Sequence, residues 1–202
     1  MGRTPVGEDF LSFVEGRRGH FRLESGHHGD LWLELETLCL DSRGIQPFAS
    51  RLAAKLAPHK VDVICGPLVE GAYIALLVSI ELGCDFVYAE RFASPPSERL
   101  FPVEYRIPRA LRTAVRGKRT AIVNDVISAG SAVRGAFSDL ESSGADVVAI
   151  GALLVLGNSI AEFVAEHHIV LERLEQMPYN LWAPAECPLC ARGKPLEVMG
   201  TS

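Results

Sequence analysis

The sequence predicts an α/β domain in which helices flank a mostly parallel sheet. Short, nearly continuous apolar runs such as VDVICG, residues 61–66, are typical of strands that are buried on both faces. These runs alternate with helix-like segments, and a chain of 202 residues with 48% hydrophobic residues can form one full core. We expect one domain over residues 1–176 and a Pro-rich tail over residues 177–202.

The N-terminal part predicts a short helix followed by a pair of strands. Thr4 is a candidate N-cap, Pro5 suits the first helical position, and Glu8 and Asp9 would lie in the first turn. Next, HFRLES and LWLELE alternate apolar with polar residues on either side of SGHHGD, which has the composition of a turn. Residues 20–36 therefore predict a hairpin or a bent pair of strands.

The rest of the chain alternates helices and strands. Helices are expected from residue 41 or 42 to Pro58, over residues 72–82, and at about residues 131–143 and 158–167. Strands are expected at VDVICG, DFVYAER, RTAIVND, DVVAIGALLVL and IVLERLE. The tail lacks periodicity and predicts either packed irregular structure or partial mobility.

Charge and composition exclude several classes of protein. A net charge of −5 with mixed signs argues against sequence-independent binding to nucleic acid, which needs clustered cations. The apolar stretches are too short to span a bilayer, and the N-terminus does not resemble a targeting segment. An odd number of cysteines, five, suits a reducing compartment. We expect a cytoplasmic protein that binds neither nucleic acid nor membranes.

The segment AIVNDVISAGSAV, residues 121–133, is the strongest candidate for a binding site. It predicts a strand that ends near Asp125, then a loop of small residues and a helix, and ligands of parallel sheets bind at such junctions. The loop backbone can approach an anion, and the helix dipole favours negative charge there. The segment matches neither GxxxxGK[ST] nor GxGxxG. The alternative is an ordinary strand end in which Asp125 only caps a turn.

This segment resembles the ribose-phosphate signature of the type I phosphoribosyltransferases, and the orotate phosphoribosyltransferases are the most similar branch. FRLESGHHGDLWLELE is similar to their N-terminal segment, GPLVEGAYIA to their pyrophosphate loop, and YAER to the strand end that follows. The resemblance implies a type I phosphoribosyltransferase-like parallel sheet with a small N-terminal hood from about residues 1–40, and a homodimer. It also implies Mg²⁺-dependent transfer of phosphoribosyl from 5-phosphoribosyl 1-diphosphate (PRPP) to a pyrimidine-type or related nucleobase.

The resemblance assigns roles to three groups of residues. Asp125 and Asn124 would contact the ribose as the catalytic pair. The 5'-phosphate would lie on the small-residue loop of Ser128, Ala129, Gly130, Ser131 and Ala132. Pyrophosphate would meet Leu68, Val69, Glu70 and Gly71 together with Arg91, for which a merely solvated strand end is the alternative.

Four departures from the family pattern bear on function. Asn124 replaces an acidic residue, and Glu70 stands where a lysine or a small residue is usual. Residues 91–109 contain neither lysine nor histidine, which leaves Arg99, Arg106 and Arg109 as substitutes. The Asp-Arg pair that orotate enzymes carry is replaced by VLG at residues 155–157, so that the sequence does not identify the acceptor base.

These departures leave two hypotheses. In the first, the protein is a phosphoribosyltransferase with an altered base pocket. In the second, it binds PRPP or a nucleotide with little or no turnover and acts as a regulator.

The tail contains a CxxC pair, Cys187 and Cys190, which is a candidate for half of a structural Zn²⁺ site. Two further ligands would have to come from Cys39, Cys65, Cys84, a histidine or a partner subunit. A redox role is disfavoured because Pro188 lies in a Pro-rich tail, and a simple turn is the alternative. The histidines at 27 and 28 lie in the predicted turn, where we expect a surface role.

Overall fold

The computed structural model of the protein describes residues 9–93 and 100–199. The strands are β1 Gly16–Arg22, β2 His28–Leu33, β3 Val63–Pro67, β4 Asp85–Ala93, β5 Val103–Arg106, β6 Arg119–Ile127, β7 Asp146–Leu156, β8 Val170–Met177, β9 Leu181–Trp182 and β10 Glu197–Val198. The helices are α1 Ser42–Leu56, α2 Glu70–Leu82, α3 Arg112–Val115, α4 Ser131–Ser142, α5 Ala161–Glu166 and α6 Pro188–Ala191.

The larger sheet has six strands in the order β5, β4, β3, β6, β7, β8. Every neighbouring pair is parallel except β4 and β5, which are antiparallel. The carboxyl ends of the parallel strands therefore meet at one edge, where ligands of α/β sheets bind. This architecture confirms the predicted α/β fold with a mostly parallel sheet.

Helices cover both faces of this sheet, which explains why its central strands are so apolar. β3 is buried along its whole length, and β7 is buried from Ala149 to its end. One core lies between the sheet and helices α1 and α2, and it includes Leu52 and Ile74. A second core lies on the other face, where Phe137 of α4 contacts Phe163 of α5. The two cores hold the carboxyl edge of the sheet in place.

The smaller sheet, which we call the hood, joins the two ends of the described chain. Its strand order is β10, β1, β2, β9, in which β1 and β2 form the predicted hairpin. From the tail, β10 pairs parallel with β1, and β9 pairs antiparallel with β2. The tail is less irregular than expected, because its two-residue strands β9 and β10 pair with hood residues far away in sequence.

The predicted N-terminal helix is only partly within the described chain. Thr4, Pro5 and Glu8 lie outside the described residues. Asp9 caps a single 3₁₀ turn, Phe10–Ser12, and the chain then enters β1. No helix within residues 9–93 and 100–199 has the length and apolar character needed to cross a membrane.

Candidate active site

An open cavity of about 720 Å³ lies at the carboxyl edge of the large sheet. Its walls come from the hood, the turn between β3 and α2, the turn between β6 and α4, and the end of β7. A volume of this size suits a small-molecule ligand. The predicted phosphate and pyrophosphate loops thus face the same space.

The turn between β6 and α4 is shorter than the sequence indicated. β6 continues to Ile127, so that both Asn124 and Asp125 lie within the strand. The turn adopts a left-handed conformation at Gly130, with φ +82°, where a Cβ atom would lie 2.7 Å from Ile160 Cδ1. Because glycine has no side chain, it leaves the first-turn N–H groups of α4 without a side-chain cap. The positive end of the α4 dipole therefore faces the cavity.

Four of the five predicted phosphate-loop residues line the cavity, namely Ser128, Gly130, Ser131 and Ala132. The fifth, Ala129, has a buried side chain and packs as a core residue. The hydroxyl of Ser159 donates a hydrogen bond to the carbonyl of Ser128, which anchors the turn. The backbone is thus held in a fixed shape beside the helix N-terminus, and a fixed donor array is what anion binding needs.

Asp125 is a buried carboxyl group at the floor of the cavity, with 5% of its surface exposed. Burial raises the pKa of Asp125 to about 7, and the negative charges of Glu70 and Glu36 contribute in the same direction. Backbone hydrogen bonds from Val126 and from Asp125 itself lower the pKa and offset part of this effect. The cavity therefore contains a carboxylate whose charge water does not stabilise.

Asn124 links the two predicted binding loops. Its Nδ2 donates a hydrogen bond of 2.8 Å to the carbonyl of Val126. Its Oδ1 lies against Gly71, where an added Cβ atom would be only 2.0 Å away. The side chain is thus held by β6 on one side and by the start of α2 on the other. Glycine at position 71 is required for this contact.

The predicted pyrophosphate loop, residues 68–71, includes the first turn of α2, because that helix begins at Glu70 rather than at residue 72. The peptide bond between Leu68 and Val69 is cis. The amide of Leu68 donates to the carbonyl of Ala89 at 2.9 Å, so that this N–H already has a partner. All four residues line the cavity, and Val69 provides no side-chain cap to α2.

Glu24 is a central residue of the site that the sequence did not reveal. It lies between β1 and β2, and its carboxylate accepts a hydrogen bond of 3.0 Å from the Tyr105 hydroxyl. Arg91 pairs with the same carboxylate at 3.0 Å, and the Ser131 hydroxyl donates to it at 3.3 Å. Arg91 is therefore neither free nor merely solvated. In sequence, Glu24 is one polar residue of an alternating strand pattern, and it becomes notable only when these distant partners meet.

Acidic groups outnumber basic groups among the described residues that line the cavity. The carboxylates are those of Glu24, Glu36, Glu70 and Asp125, and the guanidinium groups are those of Arg22 and Arg91. An anionic ligand must therefore bind through local donors, or with a cation, rather than through a general positive field.

The cavity wall is apolar at the end of β7. Val155 and Leu156, which stand in place of the expected charged pair, are buried, and Leu156 lines the cavity. Of the arginines proposed as substitutes for the loop lysines, Arg99 lies outside the described residues. Arg106 pairs with Glu104 and stacks over an aromatic ring on β4, away from the cavity lining.

The structure places the CxxC pair against two histidines of the hood. His20, His28, Cys187 and Cys190 form one group of potential metal ligands. The expected surface role of His28 was wrong, because this residue begins β2 and is buried. The candidate partners at Cys39, Cys65 and Cys84 do not belong to the group.

Comparison with known proteins decides the family. A family model described as the phosphoribosyl transferase domain matches residues 38–185. The chain belongs to the phosphoribosyltransferase family. This phosphoribosyltransferase is accordingly a glycosyltransferase of the pentosyl-transferring kind, and the comparisons favour an enzyme over a regulator without turnover.

Relatives and solved structures agree with this assignment. The phosphoribosyltransferase is 26% identical over 201 residues to an orotate phosphoribosyltransferase of Caldanaerobacter subterraneus subsp. tengcongensis, covering 100% of this chain and 98% of the relative. It is 28% identical to one from Nitratiruptor, covering 87% and 88%. Adenine phosphoribosyltransferase of Trypanosoma brucei has a TM-score of 0.65 at 12% identity, covering 83% and 77%. Orotate phosphoribosyltransferase of Mycobacterium tuberculosis has a TM-score of 0.60 at 17% identity, covering 81% and 90%. These two structures support the fold alone.

Proposed function

We propose that this phosphoribosyltransferase transfers the phosphoribosyl group of PRPP to a pyrimidine-type base and releases pyrophosphate. The observation that carries the proposal is the junction of β6 and α4. There, an uncapped helix N-terminus and a buried carboxylate face one cavity. Such a pair suits a sugar phosphate, because the amides receive the phosphate while the carboxylate lies beside the ring.

Each group of residues has a distinct role in this proposal. Asp125 accepts hydrogen bonds from the ribose hydroxyls and stabilises positive charge on the ring as the bond to pyrophosphate weakens. The backbone of the turn and first helical residues at 128–132 holds the 5'-phosphate. Asn124 keeps the start of α2 next to the ribose site through its contact with Gly71. The N–H groups at the start of α2, together with Arg91, receive the pyrophosphate.

The acidic lining fits a requirement for Mg²⁺. Glu36, Glu70 and Asp125 bring carboxylate oxygens to the cavity, and Mg²⁺ prefers oxygen ligands. Bound with PRPP, Mg²⁺ would offset the charge of the diphosphate. The carboxylate of Glu70 would otherwise repel a diphosphate at the start of α2.

The names of the relatives, which are orotate phosphoribosyltransferases, support a pyrimidine-type acceptor. The apolar end of β7 bears on whether that pyrimidine carries a negative charge. Leu156 offers the base an apolar surface instead of an arginine. An acidic base such as orotate would need another cation, and Arg22 of the hood is the lining guanidinium that has no carboxylate partner among the described ion pairs. We therefore include both orotate and uncharged pyrimidines among the acceptors to test.

The function is tested by release of pyrophosphate from PRPP and Mg²⁺ with a panel of pyrimidine and purine bases. We expect release with at least one pyrimidine, and loss of release in Asp125→Ala. The matched control is Asp146→Ala, an exposed aspartate at the start of β7 that should leave turnover unchanged. Saturable PRPP binding without pyrophosphate for any base would support the regulator instead, and full activity of Asp125→Ala would refute its assigned role.

We also propose a homodimer in which α2 contacts a second copy of the chain. Tyr73, Leu76 and Ile80 are 49%, 42% and 67% exposed and recur every three or four residues, which places them on one face of α2, and the N-cap residue Val69, 51% exposed, continues this spacing. Sedimentation equilibrium should give a dimer for the wild type and a weaker dimer for Ile80→Lys. The same charge at Leu40, which is exposed elsewhere, is the control. A wild-type chain that is monomeric at all concentrations would contradict the proposal.

A further inference from the structure

Four potential metal ligands converge outside the cavity lining, between the hood and the helix α6 of the tail. His20 lies on β1 and His28 begins β2, while Cys187 precedes α6 and Cys190 lies within it. One ligand atom from each residue lies within 4.8 Å of all the others. The set combines two thiols with two imidazoles, which is a common donor set of structural zinc sites.

Four of the six distances between these atoms are close to those of a four-coordinate site, and the other two are within 4.8 Å. His20 Nε2 lies 3.2 Å from His28 Nδ1 and 3.3 Å from Cys187 Sγ. Cys190 Sγ lies 3.7 Å from His20 Nε2 and 3.3 Å from His28 Nδ1. Tetrahedral zinc with ordinary bond lengths requires about 3.3 Å between two nitrogens and about 3.6 Å between nitrogen and sulfur. The four distances lie within about 0.3 Å of these values.

The local backbone is shaped to bring the ligands together. The pairing of β1 with β2 shifts register between Arg18 and Phe21, which is the signature of a β-bulge. As a result, Gly19, His20 and Phe21 are all buried, whereas a regular strand would alternate buried and exposed residues. On the other side, the CxxC spacing places both thiols at the first turn of α6.

A second interaction orients the ring of His20. Its Nδ1 lies 2.9 Å from the carbonyl of Lys194, which can only accept a hydrogen bond. Nδ1 therefore carries the proton, and Nε2 presents a lone pair to the other three ligand atoms. Metal-binding histidines are typically fixed in this way by a carbonyl behind the ring. A disulfide between the two cysteines would not require an imidazole aimed at either sulfur.

We infer that His20, His28, Cys187 and Cys190 bind one structural Zn²⁺ ion that fastens the C-terminal tail to the hood. The sequence separations of 162 to 170 residues between the histidines and cysteines in contact mean that the ion cross-links the two ends of the described chain. Strand pairing between the tail and the hood is limited to β9 and β10, which have two residues each. Val198 and Met199 line the cavity beside β10, so the ion also holds part of its wall.

Metal analysis of the full chain, purified without chelators, tests the inference. We expect one zinc per chain in the wild type and loss of that zinc in Cys190→Ser. The exposure of Cys190 gives the ion a route of entry. Cys39→Ser and Cys84→Ser are matched controls, because these partly buried thiols lie outside the group and should leave the zinc content unchanged. A zinc-free wild type whose melting temperature does not rise on addition of Zn²⁺ would overturn the inference.

Two measurements on the wild type remain informative even if the variant fails to fold. Replacement of the metal by Co²⁺ should give the intense visible bands of a tetrahedral ion together with thiolate-to-cobalt charge transfer. The weak bands of an octahedral ion, or a Cys187–Cys190 disulfide in the same preparation, would overturn the inference. Chelation should also speed tryptic cleavage after Arg192, which precedes Gly193, by about tenfold or more, because the tail loses its cross-link. An unchanged cleavage rate would show that no metal holds the tail.

Discussion

Replacement of Asp125 by asparagine should remove activity and yet stabilise the ligand-free protein at neutral and alkaline pH. The wild-type carboxyl group is buried, and its pKa is raised from 3.8 to about 7. Each unit of pKa difference between folded and unfolded states corresponds to about 1.4 kcal/mol, so the charged form costs on the order of 4 kcal/mol in the folded state. The asparagine side chain would not carry this charge, and it keeps an oxygen that can accept a hydrogen bond from a backbone N–H.

The sign of the pH dependence follows from proton uptake. Between about pH 4 and about pH 7, the folded wild type retains a proton on Asp125 that the unfolded chain has released. The free energy of unfolding of the wild type therefore falls as the pH rises through this window, and this loss is complete above about pH 7. Asp125→Asn lacks this slope, so its advantage over the wild type should grow across the same window.

Urea denaturation at several pH values from about 4 to 8, without ligand, measures this difference. Asp146→Asn is the control, since its carboxylate is exposed and should shift stability by less than about 0.5 kcal/mol. An Asp125→Asn variant whose stability runs parallel to the wild type across this range would refute the reasoning. So would a variant that is less stable than the wild type at about pH 8.

Three further substitutions probe the two loops and the hood. Gly71→Ala should lower the free energy of unfolding by about 1–3 kcal/mol and raise KM for PRPP, because the alanine Cβ would lie 2.0 Å from Asn124 Oδ1. Gly130→Ala should weaken PRPP binding and lower stability by about 1–2 kcal/mol, because the alanine would meet Ile160 at a φ of +82°. Glu24→Gln should tighten PRPP binding severalfold in calorimetry, because it removes a negative charge beside the α4 N-terminus; weaker binding would contradict this.

The sequence predicted the fold well where local patterns dictate structure. VDVICG and DVVAIGALLVL form β3 and β7 because runs this apolar need cover on both faces. Periodicity and capping also located α1, which begins after Asp41 as expected. The small residues at 128–132 lie at the β6–α4 junction, as the predicted order of strand, loop and helix required. The roles of individual residues at that junction stay predictions.

The parts that the sequence did not predict depend on contacts between distant residues. His20 and Cys187 are 167 positions apart, and no local sequence pattern around either residue indicates that the two are in contact. The tail strands β9 and β10 are too short to produce a periodic signal. Glu24 resembles any other charged residue of a hairpin, until the fold places Tyr105 and Arg91 beside it.

These distant contacts also link ligand binding to the position of the hood. The carboxylate of Glu24 accepts a hydrogen bond from Ser131, the first residue of α4. We propose that the 5'-phosphate binds at this same helix N-terminus. A phosphate at that position would compete with Glu24 for the same donors and repel its charge, and Arg91 would then be released towards the pyrophosphate. Because Glu24 belongs to the β1–β2 connection, its displacement must move the hairpin tip, whereas a zinc-fastened tail would hold the other side of the hood. PRPP binding should therefore break the contacts of Glu24 with Tyr105, Arg91 and Ser131, while β9 and β10 stay paired with the hood.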